Sequence, residues 1–153
     1  MSDLLPACTC RSWVAPLRDW NDVKTRMASS AARELSQALD VDAQGDWVSI
    51  YKCRACGQQW AKEYPFGEMH GGGSPCFYAI ECDDTKIWLA EKAGLPARLR
   101  QEDEDQTFFE SLGDERSEPR CAASDCSREA ISNSIFCRVH HFESTKGQTC
   151  RFA

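Results

Sequence analysis

The sequence lacks the apolar runs of an exported or membrane-spanning protein. No stretch approaches the roughly 20 consecutive apolar residues of a membrane span. The opening residues, MSDLLPACTCRS, carry an acid and two cysteines where a secretory signal needs a basic start and an apolar run of about 7–15 residues. We therefore expect a soluble, cytoplasmic protein with no membrane partner. In that reducing compartment, the ten cysteines favour metal sites over disulfide bonds.

Basic charge is scarce as well. The chain carries 18 Lys and Arg against 24 Asp and Glu, for a net charge of −6. Binding to nucleic-acid phosphates needs a basic face, because its affinity comes largely from Lys and Arg that displace counterions. Even the segment 120–153 holds only five basic and three acidic residues. We therefore do not expect nucleic acid to be the partner.

Histidine is rare, which limits the catalytic motifs that the chain could carry. A zinc deaminase needs His-x-Glu followed by Pro-Cys-x-x-Cys. Here Glu68 precedes His70, and the next cysteine after Cys76 is Cys82, so both halves of that motif fail. A nucleophilic pair of Cys76 and His70 stays open, because such residues meet in space rather than in sequence.

The paired histidines His140 and His141 raise the question of a metal-dependent nuclease. Such a site needs a further His or Asn on a following helix, and none of the twelve residues after His141 is either. We therefore expect a protein that is not an enzyme.

A zinc knuckle is predicted in the middle of the chain. Residues 47–52 alternate in the manner of a strand and lead into Cys53-x-x-Cys56, after which residues 59–64 can return as a second strand. Two thiolates at this spacing face one ion if the backbone turns tightly, and Gly57 can take positive φ to complete the turn. This segment resembles one half of a zinc ribbon.

The candidates for the other two ligands are Cys8 and Cys10, which are separated by one residue near the start of the chain. A disulfide between them would be cramped. We predict one tetrahedral structural zinc site built from Cys8, Cys10, Cys53 and Cys56. The pairing departs from the usual ribbon, which has two Cys-x-x-Cys knuckles, and the alternative is that Cys8 and Cys10 are incidental surface thiols.

A second zinc site is predicted near the end of the chain. Its four candidate ligands are Cys121, Cys126, Cys137 and His140. Three cysteines and one histidine within twenty residues match the spacing of structural zinc sites. The segment resembles small treble-clef-like or zinc-finger modules, in which the second ligand pair lies at the start of a helix. His141 and Cys150 are alternative ligands. So small a module would depend on metal binding to fold.

The fold class predicted is α+β, with a small antiparallel sheet from about 47 to 82 and flanking helices. Apolar residues recur every four positions over 20–39, which indicates a helix, and 40–46 then supplies a turn. A third strand is predicted at 77–81 and a helix at 83–95, with another helix after it. The roles of Cys76 and Cys82 stay open.

The domain organisation predicted has three parts. Residues 1–112 form a zinc-stapled α+β domain, 113–119 a polar linker, and 120–153 the C-terminal zinc-binding module.

A run of four acids, Glu102, Asp103, Glu104 and Asp105, concentrates the negative charge. Residues 101–118 hold eight acids and one arginine, a local net charge of −7. Most such runs are solvated faces. The alternative is a partner-binding surface for a basic protein, since complementary charge speeds association.

The stretch YKCRACGQQW followed by EYPFGEMHGGG, in a short acidic chain, resembles the cytoplasmic immunity proteins that accompany bacterial polymorphic toxins. The resemblance covers about positions 47–82. It implies a protein that binds and inhibits one cognate toxin or enzyme without catalysis. The alternative is a zinc-ribbon adaptor or regulator that contacts nucleic acid or the transcription machinery.

Overall fold

The computed structural model describes residues 8–68, 71 and 73–153. The chain forms two compact units, residues 1–101 and 102–153. The predicted α+β class is confirmed, with a four-stranded antiparallel sheet and helices around it. No helix in the described part of the chain is both long and apolar enough to cross a bilayer. His70 lies outside the described residues, so the candidate pair with Cys76 does too.

The first unit is built around a sheet with strand order β1-β2-β3-β4. Each strand pairs antiparallel with its neighbour. Its elements in chain order are a 3-10 turn at Cys10–Ser12, α1 at Trp20–Ala28, α2 at Ala31–Ser36, β1 at Leu39–Gln44, β2 at Val48–Cys53, β3 at Gln59–Glu63, β4 at Cys76–Ile80 and α3 at Thr85–Glu91. Helix α4, Leu95–Ser111, begins in this unit.

The single helix predicted over 20–39 is wrong, because two consecutive serines divide it into α1 and α2. Ser29 is extended, with φ −81° and ψ 174°. Its hydroxyl donates to the Arg26 carbonyl at 2.5 Å and accepts from the Ala31 amide at 3.2 Å. Such local side-chain bonds compete with the helical hydrogen bonds. The apolar stripe still packs inward, since Val23 and Leu35 are both fully buried.

The turn predicted over 40–46 is also wrong, because most of it is strand β1. Leu39 lies opposite Cys53 on β2, and Val41 lies opposite Tyr51. The stretch LDVDAQ alternates apolar and polar residues, which is the ordinary strand signal. The four-residue spacing of the preceding helix extended as far as Leu39 and concealed that signal. The turn itself is confined to Gly45–Val48, where the Gly45 amide donates to the Val48 carbonyl at 2.8 Å.

Both faces of the sheet are covered. On one face, Ile50, Ala61 and Tyr78 pack with residues of α1, α3 and α4, such as Trp88. On the other face, Trp60 packs in a second apolar cluster. Its buried members are Cys10, Ala31, Leu35, Leu39, Cys53, Trp60 and Phe77. The second cluster therefore brings the first cysteine-bearing segment against the sheet.

Among the described residues of the first unit, one carboxyl group is buried. Glu63 on β3 is 7% exposed. The Tyr78 hydroxyl donates to one of its carboxyl oxygens, and the Gly94 amide donates to the other at 2.6 Å. Burial raises the pKa of Glu63, and these two hydrogen bonds with the nearby Arg98 only partly oppose that effect.

The raised pKa of Glu63 predicts a pH dependence of stability. Because the folded pKa lies above the unfolded value of about 4.3, the free energy of unfolding falls as pH rises from that value through the folded pKa. The slope from this one group is at most about 1.4 kcal/mol per pH. In Glu63→Gln that component of the slope should vanish.

Urea unfolding at several pH values, followed by tryptophan fluorescence, measures the difference. The exposed Glu91 provides a control, because Glu91→Gln should keep the wild-type pH profile. A Glu63→Gln profile that runs parallel to wild type would contradict the prediction. Loss of bound metal in acid affects all three proteins and cancels in the comparison.

The second unit contains the end of α4, followed by β5 at Glu115–Arg120, β6 at Glu129–Ile131 and α5 at Arg138–Lys146. Strands β5 and β6 form a two-stranded antiparallel sheet. The segment 113–119, predicted as a linker, therefore contains most of a paired strand.

The division between the units falls at 101/102, within α4, and not at the predicted boundary after 112. Aromatic packing explains this position. Phe109 lies 6.1 Å from Phe142 and 5.7 Å from Phe152 between ring centroids. Phe108 also contacts Phe142, at 6.0 Å. The end of α4 thus belongs to the core of the second unit.

Candidate metal centres

The first predicted ligand set comes together in the first unit. The sulfur atoms of Cys8, Cys10, Cys53 and Cys56 all lie within 4.8 Å of one another. A tetrahedral zinc ion with Zn–S bonds of about 2.3 Å places its sulfurs about 3.8 Å apart. The four thiols are therefore close enough to close on one ion with small adjustments.

The β2–β3 hairpin holds the Cys53–Cys56 pair. The Cys53 amide donates to the Gln58 carbonyl at 2.9 Å, and the Gly57 amide donates to the Cys53 carbonyl at 3.0 Å. Gly57 has φ 77°, which confirms the prediction of a positive φ at this turn. The 3-10 turn that begins at Cys10 brings the N-terminal pair to the same place.

In this site, the thiols of Cys10, Cys53 and Cys56 have pKa values shifted in different directions. Burial raises the pKa of Cys53, but hydrogen bonds from the backbone amides of Cys56 and Ala55 and from the Cys10 and Cys56 thiols together outweigh it and lower the pKa to about 7. Burial, together with the neighbouring Cys53 and Cys56, raises the pKa of Cys10. Four thiols packed this closely cannot all ionise without a cation, because the thiolates repel one another. The donor set therefore fits a divalent metal ion.

The second predicted set comes together in the second unit. The ligand atoms of Cys121, Cys126, Cys137 and His140 also lie within 4.8 Å of one another. The His140 Nδ1 atom is 3.4 Å from the Cys121 sulfur and 3.3 Å from the Cys137 sulfur. The sulfurs of Cys126 and Cys137 are 4.0 Å apart. Tetrahedral zinc with ordinary bond lengths requires about 3.6 Å between S and N and about 3.8 Å between sulfurs.

Helix α5 and a tight turn position this set. Cys137 is the N-cap residue of α5, so Cys137 and His140 occupy its first turn, as predicted. Asp125, immediately before Cys126, takes φ 60° in the turn between the first two ligands. Burial raises the pKa of Cys121, but hydrogen bonds from the Cys137 and Ala123 amides and from the Cys126 and Cys137 thiols together outweigh it and lower the pKa to about 7.

The structure distinguishes His140 from the alternative ligands. His141 points its Nδ1 atom at the Ser134 hydroxyl, 2.8 Å away, and its ring lies 6.4 Å from that of Phe108. Cys150 belongs to neither cluster, and its amide donates to the Glu143 carboxylate at 3.0 Å. Coordination through Nδ1 of His140 is therefore the arrangement that the geometry favours.

The remaining cysteines of the first unit lie outside its ligand set. Cys76 is fully buried, and burial raises its pKa to about 12. Cys82 is half-buried, and its pKa is raised by burial and by the carboxylates of Asp84, Asp42 and Asp83. Raised pKa values keep both groups protonated, so neither has the character of a reactive thiolate.

The predicted partner-binding run divides between surface and interior. Glu102, Asp103 and Glu104 are exposed. Asp105 is only 2% exposed, accepts a hydrogen bond from Gln148 at 2.6 Å and lies 3.3 Å from the Lys146 ammonium. The inclusion of Asp105 in the partner-binding surface was therefore wrong. The helical turn directs it inward while its three predecessors face solvent.

Purified reduced protein is expected to contain close to two zinc ions per chain, because two four-residue ligand sets are assembled. Elemental analysis of protein prepared in metal-replete medium without chelator measures the ratio. A value near zero would contradict both sites. A value near one would leave the first site the more doubtful, because its ligands are separated by forty-two intervening residues.

Comparison with known proteins adds no relationship to these observations: no family model, curated protein or solved structure matches the chain.

Proposed function

We propose that the chain is a non-enzymatic protein, held folded by two structural zinc ions, that binds and inhibits a cognate basic protein as an immunity protein does its bacterial toxin. The observation that carries the structural, non-catalytic role of the zinc ions is that both ligand sets are complete. Each supplies four protein donors, which fills a tetrahedral ion. A catalytic zinc ion instead keeps a position open for water or substrate.

The charge distribution supports a basic partner. The second unit holds eleven acidic and six basic residues. Lys146 lies within ion-pairing distance of the buried Asp105, and the exposed Arg151 is 3.9 Å from Glu102, an interaction that solvent weakens. The acids Glu102, Asp103 and Glu104 are exposed and consecutive, and we place partner contact on this surface group. Complementary charge of this kind raises association rates.

The test uses the purified product of a toxin-like reading frame next to this chain's gene as the partner. Glu102, Asp103 and Glu104 are changed together to Gln, Asn and Gln, and association is measured across salt concentrations. We expect association to slow about tenfold at low ionic strength, with a shallower salt dependence. Asp105 is left unchanged because its loss would disturb the interior.

A control variant removes the same charge elsewhere. Glu81, Asp83 and Glu91 are all exposed in the first unit, and their replacement by Gln, Asn and Gln should change association much less. Equal effects of the two triple variants would assign the result to net charge alone. Retention of the wild-type chain on immobilised DNA or RNA that falls with salt would contradict the proposal and favour the nucleic-acid adaptor.

A further inference from the structure

The side chain of Trp60 lies where the two halves of the first metal centre meet. Trp60 is on β3 opposite Tyr51 of β2, four residues beyond Cys56. It is fully buried and packs in the same apolar cluster as Cys10 and Cys53. Trp60 therefore belongs to the hairpin that carries one ligand pair and packs with a ligand from the other pair.

The polar edge of this indole lacks an ordinary acceptor. Its Nε1 atom is buried and has no hydrogen-bond partner among the described residues. Trp60 and Cys10 pack in the same buried cluster, and the indole partly opposes the burial that raises the pKa of the Cys10 thiol. Cys10 is itself only 2% exposed, so water is poorly placed to replace either partner. A buried N–H group without an acceptor is destabilising, and the sulfur is the group that can satisfy it.

The nature of the acceptor depends on the metal. A thiol sulfur accepts hydrogen bonds weakly, whereas hydrogen bonds to an ionised acceptor are shorter and stronger. Four thiolates around a divalent ion carry excess negative charge, and surrounding N–H donors offset it. The Cys53 sulfur obtains such donors from the backbone of its own turn, at Cys56 and Ala55. For Cys10, the indole of Trp60 is a donor that comes from a side chain on a distant part of the sequence.

We propose that Trp60 is a positioning residue of the first metal centre, whose indole N–H donates to the Cys10 thiolate and thereby holds the N-terminal ligand pair against the β2–β3 hairpin. This inference rests on the metal binding put forward under the proposed function. The indole does not contact the metal, and its effect passes through the Cys10 sulfur.

Cadmium-113 NMR tests the bond directly. Protein loaded with ¹¹³Cd should give separate resonances for the site with four cysteines and the site with three cysteines and one histidine. We expect a proton–cadmium correlation from the Trp60 indole proton to the four-cysteine resonance, transmitted through the N–H···S hydrogen bond. Trp60→Phe should abolish this correlation. Trp88→Phe, a comparably buried change on the opposite face of the sheet, should retain it.

Metal affinity provides the second readout. In competition with a chelator, Trp60→Phe should bind zinc at the first site about tenfold more weakly, while Trp88→Phe should bind as wild type does. The second site of the same molecule serves as an internal reference, and its affinity should not change. Far-UV circular dichroism of the loaded proteins establishes that both variants are folded.

The outcomes separate this inference from the proposed function. Failure of the wild-type chain to take up cadmium or zinc would overturn both. Uptake without an indole–cadmium correlation, although the Trp60 indole proton is observed, would overturn the inference alone. Equal first-site affinities in the folded Trp60→Phe and Trp88→Phe variants would do the same. If Trp60→Phe does not fold, the presence or absence of the indole–cadmium correlation in the wild-type chain still supports or overturns the inference.

Discussion

Replacing Cys53 with alanine is expected to unfold the first unit. Cys53 is 3% exposed, ends β2 and belongs to the four-thiol set. Structural zinc contributes an apparent binding free energy of about 10–16 kcal/mol in small modules, which is comparable to the entire stability of about 5–15 kcal/mol of an ordinary domain. Losing one ligand would remove much of this contribution.

Tryptophan fluorescence measures the outcome, because all five tryptophans lie in the first unit. We expect a red-shifted emission in Cys53→Ala and a zinc content reduced from about two ions to one. Cys76→Ala is the control, since Cys76 is also a buried cysteine of the same sheet but lies outside the ligand set. This replacement should lower the free energy of unfolding by only about 1–2 kcal/mol, the usual effect of shortening a buried side chain. Similar damage in both variants would mean that packing, rather than metal binding, explains the loss.

Replacing Cys137 with alanine is expected to unfold the second unit and leave the first intact. Cys137 is fully buried and occupies the N-cap position of α5 as well as a place in the ligand set. The rings of Phe108, Phe109, Phe142 and Phe152 form a small core, and cores of this size rarely stabilise a short chain alone. Loss of the metal should therefore release α5 and the β5–β6 pair together.

Limited proteolysis with mass spectrometry detects this selective damage. We expect cleavage within 102–153 in Cys137→Ala, a protected fragment ending near residue 101, and unchanged tryptophan emission. His141→Ala is the matched control, because His141 adjoins the ligand His140 but bonds to Ser134 instead. That variant should keep both zinc ions. Loss of the native tryptophan signal in Cys137→Ala would show that the two units do not fold independently.

Sequence spacing was sufficient to predict both ligand sets, because the constraints that bring the ligands together are mostly local. A Cys-x-x-Cys pair at the end of a strand can bind one ion only if the chain turns at once, and Gly57 permits that turn. Likewise, Cys137 and His140 are one helical turn apart. Pairing the Cys8 and Cys10 segment with the knuckle was a longer-range inference, made because those thiols lacked a nearby partner.

The errors have a different origin, since they concern competition between local and distant contacts. Strand β1 was missed although LDVDAQ alternates, because the helical spacing before it seemed to continue through Leu39. The position of Phe108 and Phe109 in a distant aromatic cluster moved the unit boundary into α4. Asp105 looked like its acidic neighbours in the sequence, and only its contacts with Lys146 and Gln148 reveal an inward orientation.

The distance along the chain between the ligand pairs of the first centre has a consequence for synthesis. A ribosome that adds about 5–20 residues per second needs about 2–9 s to proceed from Cys10 to Cys56. During that interval the first two thiols have been made but the pair of Cys53 and Cys56 is not yet complete. The second centre, with all its ligands between 121 and 140, is complete within about 1–4 s of its first cysteine. The N-terminal thiols thus have the longer exposure to stray metal ions and oxidants while the chain is being made.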